Sequence, residues 1–429
     1  MRIVKLDESS KKDILDQLLK RSPGHYGAYT ETVNAIVEEV RKNRDSALFA
    51  YTEKFDGCRL DASTVRVTEA EMEEACGLVE KELLEVIRKA LVNIRAFHEK
   101  QRRYSWFDSS ENGVLLGQKV TPLNRVGVYV PGGKAVYPSS VLMNIVPAKV
   151  AGVREIVMVT PPGKDGRVNP AVLVAAKEAG VDKVFKAGGA QAIAALAFGT
   201  ESIPRVDKIV GPGNIFVALA KKAVFGFVSI DSIAGPSEIL VLADETADPR
   251  YVAADLLSQA EHDEMASAIL VTTSERLADA VNQEIDGFLK ILSRRDIISK
   301  SLENYGYILL ADTLDEAIEA ANEIASEHLE IMTKDAFTIM TKIRNAGAIF
   351  IGEHSCEPLG DYFAGPNHVL PTNGTAKFFS PLGVDDFVKK SSIISYSREA
   401  LEPIHEDIIR FADQEKLTAH GNAIKVRFE

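Results

Sequence analysis

The sequence predicts an α/β fold in which parallel sheets carry helices on both faces. Short apolar runs rich in β-branched residues begin near residue 113, and most of them alternate with helical patterns. This alternation is typical of parallel sheets covered by helices. The 429 residues also exceed what one small core can organise, so we expect two or more domains.

The first hundred residues have a helical pattern. Thr68 and Glu71 form a capping-box pattern, after which apolar residues recur every three or four positions as far as Phe97. The predicted strands that follow are Val126–Val130, Glu155–Thr160, Lys208–Val210, Ile239–Ala243, Ala268–Thr272, Ile308–Ala311 and Ala348–Ile351. Helices are predicted between them, for example Pro170–Ala179 and Ala190–Phe198.

Four loops rich in glycine and proline interrupt the strands: VPGGKAVYP, KAGGAQ, VGPGN and AGPSE. Because parallel sheets place ligands at the carboxyl ends of their strands, we expect these loops to form a binding edge. The dinucleotide fingerprint G-x-G-x-x-G is absent, since the nearest match, Gly211-Pro-Gly213-Asn-Ile-Phe216, fails at the third glycine. A standard Rossmann phosphate site is therefore not supported.

Composition excludes several classes of protein. A net charge of −12 argues against nucleic acid or an anionic membrane as the main partner. Three scattered cysteines do not make a disulfide framework. The N-terminus lacks the apolar run of a signal peptide, and nowhere does the chain approach the ~20 apolar residues of a membrane helix. We expect a cytoplasmic protein.

Two stretches of the chain resemble each other. One runs from Leu242 through a helical pattern to His262, and the other from Leu310 through a second helical pattern to His328. The first helix has the N-cap and N1 pair Asp248-Pro249, and the second opens with the capping-box pattern Thr313-x-x-Glu316. Each stretch is predicted to read strand, turn, helix, Glu-His. An old duplication and chance similarity both account for this.

Three positions have side chains that suit a metal. Gln259 and His262 are three apart on a predicted helix and share a face, although a histidine there also fits a cap or a core. Asp361 follows the last predicted strand in a stretch punctuated by glycine and proline, where a carboxylate serves as a ligand or caps a turn. His354 and His368 flank Asp361, and spacing does not separate the three.

Glu327-His328 is an adjacent acid and base at a predicted helix end. Histidine titrates nearest neutrality and suits removal of an alcohol proton, and a neighbouring carboxylate suits activation of water. Cys356 offers a thiol but has no base at a recognisable spacing. In the C-terminal tail, Glu415 and His420 indicate a bound ligand, because a terminal tail gains little from them otherwise.

Together these segments resemble the histidinol dehydrogenase family. The resemblance runs in order from about residue 120 to 424, and the N-terminal helical region fits it as well. Its segments are VGVYVPGGKAVYPSSVLMNIVPAKVAGV, KAGGAQAIAALAFGT, IVGPGNIFVALAKK, IDSIAGPSEILVLAD, DLLSQAEHD, SEHLEI, GAIFIGEHS, LGDYFAGPNHVLPT and LTAHGNAI.

The resemblance implies a zinc enzyme that oxidises L-histidinol to L-histidine with two NAD⁺, through the aldehyde, at the last step of histidine biosynthesis. It implies Glu327 and His328 as the acid–base pair. The implied zinc ligands are Gln259, His262, Asp361 and His420, the last from the partner subunit. The implied NAD contacts are Tyr129, Gln191 and Asn214. Implied substrate contacts are Ser237, His328, Glu415 and the metal ligands.

The resemblance further implies two incomplete Rossmann-like domains, small helical extensions at both ends, and a homodimer with exchanged C-terminal tails. The expected divisions are 1–24, a helical segment; 25–121, the helical part of the first large domain; 122–236, the NAD-side domain; 237–381, the metal and catalytic domain; and 382–429, the exchanged extension.

Two other functions compete with this interpretation. A zinc hydrolase acting on an acylated amino compound would explain the metal residues, but it leaves the loops around Tyr129, Gln191 and Asn214 without a role. A non-catalytic binding protein would not need an acid–base pair beside the metal.

Overall fold

The computed structural model describes residues 1–21, 27–109, 113–132 and 137–429. These residues form two compact units, the first comprising 1–101 and 123–387 and the second 102–122 and 388–429. The five-part division expected from the sequence stays a prediction. Among the described residues, the helices are all too short or too polar to cross a membrane.

The strands and helices are numbered in chain order. The strands are β1 (Arg2–Lys5), β2 (Trp106–Ser109), β3 (Val114–Pro122), β4 (Arg125–Tyr129), β5 (Glu155–Thr160), β6 (Lys183–Lys186), β7 (Lys208–Val210), β8 (Ser229–Ile230), β9 (Glu238–Ala243), β10 (Ser267–Thr272), β11 (Gly306–Leu310), β12 (His328–Met332), β13 (Ala348–Ile351) and β14 (Val388–Tyr396). The helices are α1 (Glu8–Leu19), α2 (Gly27–Asp56), α3 (Glu69–Leu78), α4 (Lys81–Glu99), α5 (Pro138–Ala151), α6 (Pro170–Ala179), α7 (Gly189–Phe198), α8 (Ile215–Val224), α9 (Pro249–Ala260), α10 (Glu275–Phe288), α11 (Arg295–Tyr305), α12 (Leu314–Ile324), α13 (Ala336–Met340), α14 (Glu357–Tyr362), α15 (Arg398–Leu401), α16 (His405–Gln414) and α17 (Thr418–Lys425).

The first parallel sheet has the strand order β6-β5-β4-β7-β8. Alternate side chains point to opposite faces of a strand, so neighbouring apolar residues reach different helices. Val126 and Met158 pack with α3 to α6, whereas Val157 and Val159 pack with α2, α7 and α8. Both faces are therefore buried, as the near-continuous apolar strands predict.

The second parallel sheet has the order β1-β11-β10-β9-β12-β13. Leu240 and Leu329 pack with α1, α12 and α13 on one face, and Ile239 and Ile308 pack with α9, α10 and α11 on the other. Apart from the added β1, its order repeats that of the first sheet. The predicted fold, two incomplete Rossmann-like sheets with helices on both faces, is confirmed.

The second compact unit has a different construction. Its antiparallel sheet has the order β14-β3-β2, and the helices α15, α16 and α17 follow β14 in the chain. Ser397 caps α15 by accepting a hydrogen bond from the Ala400 N–H at 3.2 Å.

Several local predictions are confirmed. Glu155–Thr160, Lys208–Val210 and Ala348–Ile351 are strands with the predicted bounds. Thr68 and Glu71 form the predicted capping box, and Asp248 caps α9 through the Arg250 N–H at 2.8 Å. The pattern at Thr313 is half formed: its hydroxyl accepts from Glu316 N–H at 3.2 Å, but the Glu316 carboxylate accepts from Asp312 N–H at 2.9 Å.

The prediction that Glu327-His328 ends a helix is wrong. Helix α12 ends at Ile324, and Ala325 has a φ of 52°, so the chain leaves the helix there. His328 is the first residue of β12, whose first four residues, HLEI, alternate between polar and apolar. That period of two was hidden by the longer helical pattern before it.

Candidate active site

Most of the predicted catalytic and metal residues meet at the amino ends of the second sheet. Ser237 immediately precedes β9, and His328 opens the neighbouring strand β12, where it pairs with Ile239. Helix α9 returns the chain to this same edge, so Gln259, in its last turn, and His262 also arrive there. The helix between two parallel strands must run back in this way.

This location corrects the expectation of a single binding edge at strand carboxyl ends. The KAGGAQ and VGPGN loops do follow β6 and β7. The AGPSE loop instead leads into β9 and lies at an amino end. The VPGGKAVYP loop follows β4, but residues 133–136 lie outside the described part of the chain.

The peptide groups of Glu238 orient both members of the Glu327–His328 pair. The N–H of Glu238 donates to Glu327 Oε2 at 2.9 Å, and its carbonyl oxygen lies 2.9 Å from His328 Nδ1. A carbonyl only accepts, so Nδ1 carries a proton and donates it. In the neutral ring, His328 Nε2 is then the free lone pair.

Asp361 lies beside that free nitrogen. Its Oδ1 is 3.6 Å from His328 Nε2, too long for a hydrogen bond. Two ligands of one tetrahedral zinc ion, each about 2.0–2.1 Å from the metal, lie about 3.4 Å apart. The Asp361–His328 spacing is close to this value, although the resemblance implies Asp361 and not His328 as a zinc ligand and leaves Nε2 as the base. His368 stabilises the end of α14, because its Nδ1 donates to the Asp361 carbonyl oxygen at 3.0 Å.

Glu357 joins this cluster, although the sequence analysis did not single it out. One ligand atom from each of His328, Glu357 and Asp361 lies within 4.8 Å of the others. Glu357 and Asp361 are four residues apart in α14 and share a helix face. That spacing is the sequence signal that could have found Glu357. Its Oε2 accepts from Ser258 Oγ at 3.0 Å.

Helix α9, whose Ser258 contacts Glu357, carries Gln259 in its last turn and leads to His262 at the same edge. Gln259 is 1% exposed, and its Oε1 has no hydrogen-bond partner in the described part of the chain. A buried carbonyl oxygen without a partner is costly and fits a site for a cation. The imidazole of His262 interacts electrostatically with Asp361 and His328.

Buried carboxylates dominate the electrostatics. Burial raises the pKa of Glu327 to about 8, and burial also raises the pKa of Glu357 to about 8. Burial lowers the pKa of His328, but the negative charges of Glu327 and Asp361 outweigh it and raise that pKa to about 10. Burial likewise opposes ionisation of Asp361, yet His328 and His368 hold its pKa at about 2. A divalent cation would stabilise this concentration of negative charge.

The predicted NAD residues follow strands of the first sheet at its carboxyl edge. Tyr129 ends β4, and its hydroxyl oxygen accepts from the Gly189 N–H at 3.2 Å. Burial raises the pKa of this hydroxyl to about 12. Gln191 is 1% exposed, and both its amide atoms lack hydrogen-bond partners among the described residues. Asn214 caps α8 through the Phe216 and Val217 N–H groups.

A buried ion pair holds the VGPGN loop against Tyr129. Lys221 pairs with Asp231 and donates to the Gly211 carbonyl at 3.0 Å, while Asp231 Oδ2 accepts from the Gly211 N–H at 2.8 Å. Gly211 has a φ of 116°, and a Cβ there would lie 2.1 Å from the Tyr129 carbonyl oxygen. Only glycine fits this approach.

The remaining predicted residues are not among the clustered side chains described above. Glu415 directly follows α16 and His420 lies within α17, both exposed in the second compact unit. Their contribution to a partner's site stays a prediction. His354, which spacing did not separate from Asp361, has a side chain that is 82% exposed. Cys356 is partly buried and precedes α14.

The comparisons with known proteins agree with one another. The family model described as histidinol dehydrogenase matches residues 19–428. A histidinol dehydrogenase of Halalkalibacterium halodurans is 59% identical over 397 residues, which are 92% of this chain and 93% of that protein. One from Listeria monocytogenes is 53% identical over 427 residues and 99% of both chains. The crystal structure of histidinol dehydrogenase from Elizabethkingia anophelis matches with a TM-score of 0.94 and 38% identity, over 100% of this chain and 98% of that one. The chain therefore belongs to the histidinol dehydrogenase family.

Proposed function

We propose that this protein oxidises L-histidinol to L-histidine in two NAD-dependent steps, with histidinaldehyde between them, as the last step of histidine biosynthesis. The observation that best supports this is the buried pair Glu327–His328, which the peptide groups of Glu238 orient beside Asp361. Each step passes one hydride to NAD⁺, so the four electrons of the overall oxidation leave in two molecules of NADH.

His328 acts in the first step. Its Nδ1–H is held by the Glu238 carbonyl, so Nε2 accepts the hydroxyl proton as hydride leaves the alcohol carbon. The aldehyde and NADH result. A cation at Asp361 would offset the negative charge that raises the pKa of His328 and so would favour the neutral ring.

Glu327 acts in the second step. Its carboxylate takes a proton from water as the oxygen adds to the aldehyde carbon, which gives the anion of the hydrated aldehyde. Loss of hydride from that carbon to the second NAD⁺, with loss of a proton, leaves the carboxylate product. Burial raises the pKa of Glu327 to about 8, and a base of that pKa is well matched to this task near neutral pH.

The metal ligands proposed are Gln259, His262, Asp361 and the partner subunit's His420. A bound zinc ion would hold the imidazole and amine nitrogens of histidinol and so fix the alcohol carbon for hydride transfer. Ser237 and the partner's Glu415 complete the substrate contacts. Tyr129, Gln191 and Asn214 would contact NAD. The active unit is then a homodimer with exchanged C-terminal tails.

A single assay tests this proposal. The zinc content of the purified protein is measured beside histidinol-dependent NADH formation, before and after chelation. We expect about one zinc per subunit, loss of NADH formation with the metal, and recovery when zinc is restored. Full turnover by metal-free protein would contradict the proposed role of zinc, and failure to form NADH with zinc bound would contradict the proposed reaction.

A further inference from the structure

We propose that Glu330 is a positioning residue that fixes α14 against β12 and thereby sets Asp361 opposite His328. This inference rests on the metal site proposed above. Glu330 lies in the middle of β12, is 1% exposed, and accepts a hydrogen bond from the backbone N–H of Glu357 at 2.7 Å.

Glu330 lies on the buried face of β12 that packs against α9 and α10. His328, Glu330 and Met332 alternate along β12 and point to the same side of the sheet. Met332 packs in the apolar cluster with α9 and α10, as a residue of a buried strand should. A glutamate in such a place costs free energy unless its oxygens are used. One oxygen is used by the first residue of α14.

That hydrogen bond replaces a missing cap. Cys356 is the N-cap residue of α14, and its side chain makes no capping hydrogen bond. The first N–H groups of a helix have no partner within the helix, so an acceptor from outside stabilises that end. Glu330 supplies such an acceptor from a neighbouring strand, and it therefore ties the helix start to a fixed point in the sheet.

The geometry of α14 and β12 lets this hydrogen bond set the position of Asp361 relative to His328. Helix α14 runs back along β12, because Glu357 lies beside Glu330 and Asp361 lies beside His328. Four helical residues rise about 6.0 Å, and two strand residues rise about 6.6 Å. Anchoring residue 357 at residue 330 thus brings residue 361 level with residue 328.

The neighbouring groups support this role. Ser258 Oγ lies 3.0 Å from Glu357 Oε2, so α9 also touches the start of α14. Asp255, on the same helix, interacts with the Glu330 carboxyl group. Gln259 lies one turn further along α9 on this face. Glu330 therefore lies where β12, α14 and α9 meet. These elements carry His328, Asp361 and Gln259.

Two neutral variants of similar length separate the acceptor from the charge. Glu330→Gln keeps an oxygen for the Glu357 N–H, whereas Glu330→Met removes it. Metal is stripped from each full-length protein and Zn²⁺ is titrated back against a competing chelator. We expect a Kd within about threefold of wild type for Glu330→Gln and about 10- to 100-fold weaker for Glu330→Met. Thr52→Val removes another buried hydrogen bond, to Leu48 in α2, and should leave the Kd unchanged.

Two further measurements keep the inference open to refutation if Glu330→Met folds poorly. Adding Cys356→Ser to Glu330→Met supplies a conventional N-cap and should recover part of the lost affinity. In the wild-type protein, the Glu357 amide should exchange slowly with solvent hydrogen. Equal Kd values for the Gln and Met variants, or fast exchange at Glu357, would overturn the role of Glu330. A wild-type protein that binds no Zn²⁺ would instead overturn the proposed metal site.

Discussion

The two parallel sheets share a strand order, but they present their polar side chains at opposite edges. In the first sheet, Tyr129 ends a strand, and Gln191 and Asn214 lie at the starts of helices that follow strands, so all three lie at the carboxyl edge, where parallel α/β sheets usually bind ligands. In the second, Glu327 and His328 stand where a strand begins. Strand order alone therefore does not decide at which edge these side chains gather.

The hydrogen bonds at the two edges of the second sheet explain the difference. At the carboxyl edge, the Asp244 carboxylate accepts from the Thr246 N–H in its own turn at 2.9 Å and from the Lys334 N–H, which follows β12, at 2.8 Å. At the amino edge, Gln259 Oε1 and His328 Nε2 have no partners among the described residues. Thr333 Oγ1, directly after β12 at the carboxyl edge, also has no partner among those residues, so the contrast rests on the kind of atom: the amino edge leaves an amide oxygen and an imidazole nitrogen, both able to bind a cation.

Deletion of residues 403–429 is expected to have the largest effect and to affect the amino edge of the second sheet without affecting the carboxyl edge of the first. If the partner's His420 completes the second-sheet site, the truncated protein should lose bound zinc and fall below about one-thousandth of wild-type NADH formation. NAD binding at the first sheet should change less than about twofold, because its residues remain. Zinc analysis, turnover and NAD titration measure these effects.

The single variant His420→Ala controls for damage caused by the deletion. It should lose zinc affinity while keeping the dimer, as judged by sedimentation. A monomeric truncation that retains zinc and turnover would refute the exchange of tails.

Glu327→Gln tests whether Glu327 and His328 act in different steps of the proposed reaction. The amide cannot take a proton from water, so we expect the aldehyde step to slow by about 100-fold or more and the alcohol step by about tenfold or less. Stopped-flow measurement of NADH from histidinol and from histidinaldehyde separates the steps. Equal slowing of both would contradict the role proposed for Glu327.

The loops after the strands of the first sheet are easier to identify from the sequence than the amino edge of the second sheet, for a physical reason. Glycine-rich loops such as VGPGN are visible in sequence because close backbone approaches exclude side chains, as Gly211 illustrates. The amino edge depends on peptide groups of Glu238 and on the spacing between α14 and β12. Those contacts join residues 27 to 90 positions apart. Pattern analysis therefore placed Glu327-His328 on a helix and did not find Glu357 or Glu330.

A matched pair of glutamine variants sharpens the separation of the two edges. Gln191 and Gln259 are both 1% exposed and both have side-chain atoms without partners among the described residues. Gln191→Ala should raise the KM for NAD by about tenfold and leave the zinc Kd unchanged. Gln259→Ala should weaken zinc by about 10- to 100-fold and leave the KM for NAD nearly unchanged at saturating zinc. If each variant changed both the KM for NAD and the zinc Kd, the two edges would not bind their ligands independently.

Cys356→Ala is expected to have the smallest effect, although Cys356 stands at the start of the helix that carries Asp361. The thiol makes no capping hydrogen bond, and the proposed aldehyde step uses water activated by Glu327 in place of a covalent thioester. We therefore expect kcat within about twofold of wild type and an unchanged zinc Kd. Cys58→Ala is the matched control, because Cys58 is buried outside both sheets and its loss should lower thermal stability more than turnover. A folded Cys356→Ala protein that binds zinc but forms no NADH would mean that the thiol takes part in the chemistry. Glu327 and His328 would then not be sufficient as the catalytic groups at the amino edge of the second sheet.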